Sequence, residues 1–305
     1  MMALTRCAVH VGPEPVGWML EAVQAAGGQS AALDAADALV WMEHDPQAFP
    51  SPLPDRVRWV QLTSAGVESW VAAGVIDRAR IFTSAAGAYA RSVAEHALAL
   101  LLAGARRLPD AARARRWGAP PGLGLAGRTV AVVGAGGIGR ELIAMLAPLQ
   151  VDVLAVTRHG RPVPGAERTL PAERTSEVWP AADFVVLAAP ATAGTTHLVG
   201  AEQLAAMRTH AWLVNIARGS LVDTAALTGA LAGERLGGAA LDVTDPEPLP
   251  DDHPLWREPR ALITPHVANP PAALCPALAE RVRENLTRFM TGRELLGRID
   301  PDAGY

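Results

Sequence analysis

Short runs of apolar residues recur along the chain, separated by stretches with helical spacing. In the first hundred residues, Cys7 to Val11, Ala38 to Met42, Val57 to Leu62 and Ile81 to Thr83 read as strands. Val16 to Ala26 reads as an amphipathic helix closed by Gly27-Gly28. Strands that alternate with helices predict a parallel sheet covered on both faces. Ser92 to Leu108 places Val93, Ala97, Leu100, Leu101 and Gly104 at helical spacing. Ser92 is positioned to cap that helix, with Glu95 three residues on as in a capping box. Arg106 and Arg107 suit its C-terminal end. A loop rich in Gly and Pro follows, from Gly118 to Gly127.

The second half repeats the alternation. Arg128 to Val133, Val151 to Val156, Phe184 to Ala188, Trp212 to Ile216, Gly238 to Val243 and Ala261 to Thr264 read as strands. Ala277 to Met290 reads as the last helix, and no internal repeat is visible.

Composition narrows the classes. A chain of 305 residues suggests about two domains and needs no disulfide or metal to fold. Half of it is hydrophobic and 19% is charged, which excludes disorder. A net charge of −4 gives no general attraction to nucleic acid or anionic membrane. There is no lysine, so all 27 cationic side chains are arginine. A Walker A loop, a pyridoxal phosphate Schiff base and a Ser-Lys nucleophile each need lysine and are excluded. Cys7 and Cys275 form no CxxC pair, which fits a reducing compartment. The eight histidines show no zinc-binding spacing. The longest apolar run, Ala97 to Ala105, is about half of the ~20 residues a membrane span needs, and the N-terminus lacks a signal-peptide core. A soluble cytoplasmic protein is expected.

The first chemical signal is Gly134-Ala135-Gly136-Gly137-Ile138-Gly139, directly after a strand and before a helix. In that context the glycines give a tight turn, close backbone approach to a pyrophosphate, and helix–strand packing. The following helix offers free N–H groups to phosphates. After the next strand an NAD site expects an acid for the ribose hydroxyls. Here the strand runs into Thr157-Arg158-His159-Gly160-Arg161, and Asp152 lies at its other end. Arg158 and Arg161 suit a 2′-phosphate, so NADP is favoured over NAD. Their alternative reading is two solvated arginines.

Three later segments sit at strand ends: those around Arg218, around Asp242 to Leu249, and around Thr264 to Ala268. Such ends line one crevice on a doubly wound sheet. Together with the Val93-Ala94-Glu95-His96 helix start, the glycine turn and Ala188 to Thr196, these segments resemble the D-isomer-specific 2-hydroxyacid dehydrogenase family. The order matches, and so do the separations of 29 residues from Arg218 to Glu247 and 19 from there to His266. The closing Asp300 to Tyr305 resembles the family tail, and the first ninety residues match loosely. The pattern is most similar to the NADP-preferring glyoxylate and hydroxypyruvate reductase branch, and Trp41 leans the same way. Two departures stand out. Val267-Ala268-Asn269-Pro270-Pro271 replaces the small residues and threonine of many relatives, and the acid after the second strand is missing.

The resemblance implies two doubly wound parallel-sheet α/β domains. A Rossmann-type nucleotide domain, residues 98–270, is inserted into a flavodoxin-like substrate domain made of residues 1–97 and 271–305. It implies His266 as the acid that protonates the developing alkoxide, a task a histidine suits near neutral pH. It places Glu247 on the other ring nitrogen. It makes Arg218 the fork for the substrate carboxylate and carbonyl. Ser64, Ala65 and Gly66 resemble the substrate-carboxylate loop, or form a simple turn. Trp41 walls the substrate pocket or packs in the core, and Tyr89 and Arg91 are open in the same way. Trp256 reads as structural. Cofactor contacts are implied at Val93, Gly134, Gly136, Gly137, Ile138, Gly139, Thr157, Arg158, His159, Arg161, Ala189, Pro190, Thr196, Ile216, Ala217, Asp242, His266 and Ala268. Asp242 resembles the nicotinamide-side carboxylate. A homodimer is implied as well. The expected activity is reduction of a small 2-keto acid. The alternatives are a nucleotide-sensing interaction protein, or an NAD-dependent oxidiser of phosphoglycerate or formate type.

Overall fold

The computed structural model describes residues 6–118 and 122–301. The tail beyond residue 301 and the middle of the Gly118–Gly127 loop lie outside the described residues. The described chain divides into two compact units: residues up to Tyr89 together with those from Pro270 on, and Ala90–Asn269. The expected boundary at 97/98 falls inside a helix, Ala90–Ala105, that lies wholly in the second unit.

The first unit contains β1 (Cys7–Gly12), α1 (Gly17–Ala25), β2 (Gly28–Ser30), β3 (Ala38–Trp41), β4 (Trp59–Leu62), α2 (Glu68–Ala72) and β5 (Ile81–Thr83). It closes with the C-terminal helix Pro271–Thr291. The strands are parallel in the order β2-β1-β3-β4-β5, a flavodoxin-like winding whose order reverses between β1 and β3. Alternate residues serve opposite faces. Leu39, Trp41, Val60, Leu62 and Phe82 join Trp70 in one core. On β4, Trp59 instead stacks over Phe289 of the C-terminal helix at 5.5 Å. Gln61, fully buried, accepts a hydrogen bond from Asn285 Nδ2 at 2.9 Å.

The second unit opens with α3 (Ala90–Ala105) and α4 (Leu108–Arg113). It continues with β6 (Thr129–Val133), α5 (Gly137–Leu146), β7 (Asp152–Thr157), β8 (Arg168–Pro171), α6 (Val178–Ala181) and β9 (Phe184–Leu187). It ends with α7 (Ala201–Ala206), β10 (Trp212–Asn215), α8 (Thr224–Ala232), β11 (Gly238–Leu241) and β12 (Ala261–Ile263). The parallel order β12-β11-β10-β9-β6-β7-β8 is a Rossmann-type winding that reverses between β6 and β9. Both faces are buried, which is why the strands read as unbroken apolar runs. On β6, Val130 and Val132 enter the core beneath α3 and α5, whereas Ala131 and Val133 enter the opposite core. Helix α5 buries Gly139, Leu142, Ile143 and Leu146, one stripe at helical spacing. Asp223 caps α8 by accepting from Ala226 N at 2.9 Å.

Helix α3 corrects one expectation. It begins at Ala90, before Ser92, and Ser92 does not cap it: its hydroxyl donates to the Ala268 carbonyl at 3.1 Å. No helix among the described residues is long and apolar enough to cross a membrane.

Candidate active site

The glycine turn is built where the Rossmann sheet reverses. Gly134 has φ +99°, and its N–H and that of Ala135 donate to the Val156 carbonyl at 3.0 and 2.9 Å. The turn is thereby tied to the end of β7. A Cβ on Gly134 would strike the backbone N of Ala189, so the residue must be glycine for space as well as for conformation. A Cβ on Gly139 would come within 2.5 Å of the Gly134 carbonyl, which explains the close fit of helix to strand. At Gly136 a Cβ would meet nothing within 4 Å. Gly136 and Gly137 are exposed, α5 has no side-chain cap, and its first turn carries no acid. The open backbone, free helix N-terminus and absence of local negative charge fit a dinucleotide pyrophosphate. Ile138 is half-buried against the core and shapes the turn from below.

The other residues expected to hold a cofactor belong to the same unit. Thr157 ends β7, and its hydroxyl is buried with no partner among the described residues. Arg158, His159 and Arg161 follow it and are exposed, whereas Asp152 lies at the opposite end of the strand. Ala189 and Pro190 begin the loop after β9. There Thr195 Oγ1 donates to the Pro190 carbonyl at 2.8 Å and Thr196 Oγ1 to that of Thr192 at 3.2 Å. Val93 packs from α3 against the core beneath the turn. Ile216 and Ala217 are buried just past β10.

Arg218, Glu247 and His266 all come from the carboxyl edge of β10, β11 and β12. Asn215, fully buried at the end of β10, shapes the first turn: its Oδ1 accepts from Ala217 N at 3.1 Å and its Nδ2 donates to the Arg218 carbonyl at 2.9 Å. Arg218 Nη1 donates to the Ala217 carbonyl at 2.8 Å. Gly219 then passes so close to the segment after β11 that a Cβ there would collide with the Thr244 carbonyl. Thr224 Oγ1 donates to the Asp245 carbonyl at 2.6 Å and secures the same segment. Glu247, two residues on, meets His266: Oε1 to Nδ1 is 2.5 Å. Both side chains remain partly open to solvent. With Nδ1 donating to the carboxylate, Nε2 is the nitrogen left for a reacting partner.

Asp242, 2% exposed, lies beneath the His266 loop. Its Oδ1 accepts from Thr264 Oγ1 at 2.6 Å and Val267 N at 3.0 Å, and its Oδ2 from Ala268 N at 3.1 Å. Burial alone would push this carboxyl up. The hydrogen bonds from His96, Thr264 and the two N–H groups outweigh it and hold the carboxyl below the ordinary range.

In the first unit, Trp41 ends β3 inside the core, edge-on to Phe49 at 5.5 Å, and its indole N–H reaches no acceptor among the described residues. Ser64, Ala65 and Gly66 follow β4. Ser64 Oγ accepts from Trp70 Nε1 at 3.1 Å, and the Ser64 carbonyl accepts from Ala85 N at 2.8 Å. The Tyr89 hydroxyl, its pKa pushed up by burial, donates to the Thr63 carbonyl at 2.8 Å. Arg91 is exposed, 4.0 Å from Glu141 in its own unit. Trp256 is half-exposed and its Nε1 donates to the Pro250 carbonyl. Asn215, Gly219, Thr264 and His96 fall inside the matched segments, but the sequence gives them no role of their own. A polar residue ending an apolar strand and a glycine following the arginine were the signals for the first two.

A Rossmann unit with an open glycine turn, and a histidine–carboxylate pair at the carboxyl ends of other strands of the same sheet, is the arrangement of a nucleotide-binding enzyme. Residues 98–268 match the family described as D-isomer specific 2-hydroxyacid dehydrogenase, NAD binding domain. A Corynebacterium melassecola protein, described as an uncharacterized protein in the proB 3′ region, is 38% identical over 291 residues, 93% of this chain and 95% of that one. A glyoxylate reductase of Korarchaeum cryptofilum is 32% identical over 269 residues, 84% of this chain and 80% of its own. The crystal structure of a D-isomer specific 2-hydroxyacid dehydrogenase from Xanthobacter autotrophicus Py2, in complex with NADPH and MES, aligns with a TM-score of 0.85 at 27% identity, covering all of both chains. The chain belongs to the D-isomer-specific 2-hydroxyacid dehydrogenase family and is an NAD(P)-dependent oxidoreductase acting on CH–OH donors.

Proposed function

We propose that the chain reduces a small 2-keto acid of the glyoxylate or hydroxypyruvate type to its D-2-hydroxy acid, with NADPH preferred over NADH. The observation that carries this reading is the His266–Glu247 pair at 2.5 Å, on a segment whose Thr244 carbonyl abuts Gly219, the residue after Arg218. The cofactor, when bound, supplies the hydride to the keto carbon. Gly134 to Gly139, Thr157 to Arg161, Ala189, Pro190 and Thr196 hold it from the sheet edge, with Val93, Ile216, Ala217 and Ala268 closing round it. Arg218 binds the substrate carboxylate and polarises the carbonyl with its planar fork. His266 gives the Nε2 proton to the developing alkoxide. Glu247, accepting from Nδ1, holds the ring in the orientation that leaves Nε2 for this transfer. The protein is proposed to act in the cytoplasm as a homodimer, following the family resemblance. Light scattering that gives a monomer at assay concentration overturns the dimer.

The direct test is a panel of 2-keto acids with NADPH and NADH, read as loss of reduced-cofactor absorbance. No oxidation of either cofactor by any of them overturns the reading. Arg218→Lys keeps the charge and loses the fork. A charge-assisted hydrogen bond contributes about 1.5–3 kcal/mol, so kcat/KM for the keto acid should fall about tenfold to a hundredfold. The NADPH dissociation constant should stay within about twofold of wild type, and equal kinetics would place Arg218 outside the substrate site.

Cofactor choice rests on the exposed arginines after β7 and on the absence of an acid there. Arg158→Ala should raise the NADPH KM about tenfold, the low end for a charge-assisted contact because the group is solvent-screened. The NADH KM should barely change. A wild type that prefers NADH, or a variant that loses both cofactors equally, removes the argument.

A further inference from the structure

The loop carrying His266 is short and awkward. His266 has φ +52°, in the left-handed region that side-chain-bearing residues seldom adopt. Its own N–H is shared between the Asp242 carbonyl at 2.8 Å and the Thr264 carbonyl at 3.0 Å. The groups on either side of it are all held from below. Thr264 Oγ1, Val267 N and Ala268 N donate to the Asp242 carboxylate, and the Ala268 carbonyl accepts from Ser92 Oγ. The carboxylate is in turn held by His96 of α3, whose Nε2 lies 3.2 Å from Asp242 Oδ1 and 3.0 Å from Thr264 Oγ1. Thr264 spends its hydroxyl proton on Asp242, so its oxygen is an acceptor toward the ring. His96 Nε2 therefore carries a hydrogen and divides it between two oxygens.

Ser92 and His96 are four residues apart and share one face of α3. Together they clamp the loop at Thr264, before His266, and at Ala268, after it. Neither reaches His266 itself. The Asp242 side chain is 1% exposed, so a lost partner would not be replaced freely by solvent. Two protein N–H groups and a hydroxyl already occupy its oxygens alongside His96, and the carboxylate is thus committed to the loop.

We propose that His96, with Ser92 one turn before it, is a positioning residue for proton delivery: through the Asp242 carboxylate it fixes the loop that aims His266 Nε2 at the substrate oxygen. This rests on His266 being the proton donor. A shift of about 1 Å in a reacting group can cost on the order of a hundredfold, and the removal of an orienting partner commonly costs about tenfold to a hundredfold.

The test uses the full chain with NADPH and its best keto acid. His96→Ala should lower kcat about tenfold to a hundredfold, with the keto acid KM and the NADPH dissociation constant within about twofold, and should enlarge the solvent deuterium isotope effect on kcat. His96→Gln, whose amide N–H takes the place of the ring N–H, should recover most of the loss. Adding His96→Ala to His266→Asn should cost nothing more. If His96→Ala does not fold, Ser92→Ala carries the test, with kcat reduced about fivefold for one lost hydrogen bond. Unchanged kcat in the tested variant overturns the proposal, as does a Gln variant as impaired as the Ala variant with KM and kcat moving together. A large loss in His266→Asn beside an unchanged His96→Ala overturns the positioning role alone. Wild-type turnover in His266→Asn overturns the acid assignment, and the positioning role with it.

Discussion

His266→Asn should lower kcat by about 10²–10⁴-fold, the usual contribution of a positioned general acid, and leave NADPH binding within about twofold. Asparagine is the informative substitute because it tolerates the left-handed backbone at φ +52° better than alanine does. The loop then keeps its path, its two N–H groups stay on Asp242, and the difference reports chemistry rather than folding. Asparagine offers an N–H but cannot surrender a proton near neutral pH, whereas the wild-type ring, with Nδ1 on Glu247, has Nε2 to give. Steady-state kinetics with saturating NADPH, together with cofactor titration by fluorescence, separate the two quantities. A folded variant with wild-type kcat would show that another group provides the proton.

The largest effect on stability is expected far from this edge, at Asp183→Ala. Asp183 is 3% exposed and precedes β9, at the amino edge of the Rossmann sheet. Its Oδ1 takes His210 Nε2 at 2.6 Å and Arg208 Nη1 at 2.9 Å, and its Oδ2 takes the Thr129 N–H at 2.9 Å, which joins the start of β6 to β9. Burial pushes the carboxyl up, but the hydrogen bonds from His210, Thr129 and Arg208 prevail and its pKa is lowered. Removing one partner of such a buried arrangement costs about 3–5 kcal/mol. Arg208 and His210 are partly exposed and can turn to water, so about 3 kcal/mol is expected. Because the folded pKa lies below the unfolded one, this stabilisation is complete above the ordinary aspartate value of about 4 and is lost as pH falls through the folded value. Urea unfolding should therefore show a gap between wild type and variant that holds from about pH 5 to about pH 8 and closes below about pH 4. A gap that widens in acid would contradict the sign.

Those two residues also mark where the sequence is legible and where it is not. Six of the seven strands of the Rossmann sheet are predicted within a residue or two, because their apolar runs are continuous. Gly28–Ser30 and Arg168–Pro171 are edge strands with exposed polar positions, so they carry no such run and escape notice. The C-terminal helix begins at Pro271 rather than Ala277. Pro271 sits at the first helical position, where the missing N–H costs nothing, and the helix continues through Pro276. Glu247 and His266 are visible as residue types in strand-end segments. The Ser92–Ala268 and His96–Asp242 contacts join residues 176 and 146 apart, and nothing local announces them. Ser92 was therefore readable only as a helix cap, the role its neighbours suggest.

The abutment of Gly219 on the Thr244 carbonyl sets a limit on how this site can change. The peptide groups that follow Arg218 and precede Glu247 touch without an intervening side chain, so van der Waals radii fix the spacing between the two segments. A side chain between them could drift in size by mutation and adjust that spacing gradually; a peptide plane cannot. Divergence toward bulkier or differently charged substrates has to come from the surroundings of this pair. The backbone spacing between the Arg218 segment and the Glu247 segment is inherited as a single rigid unit.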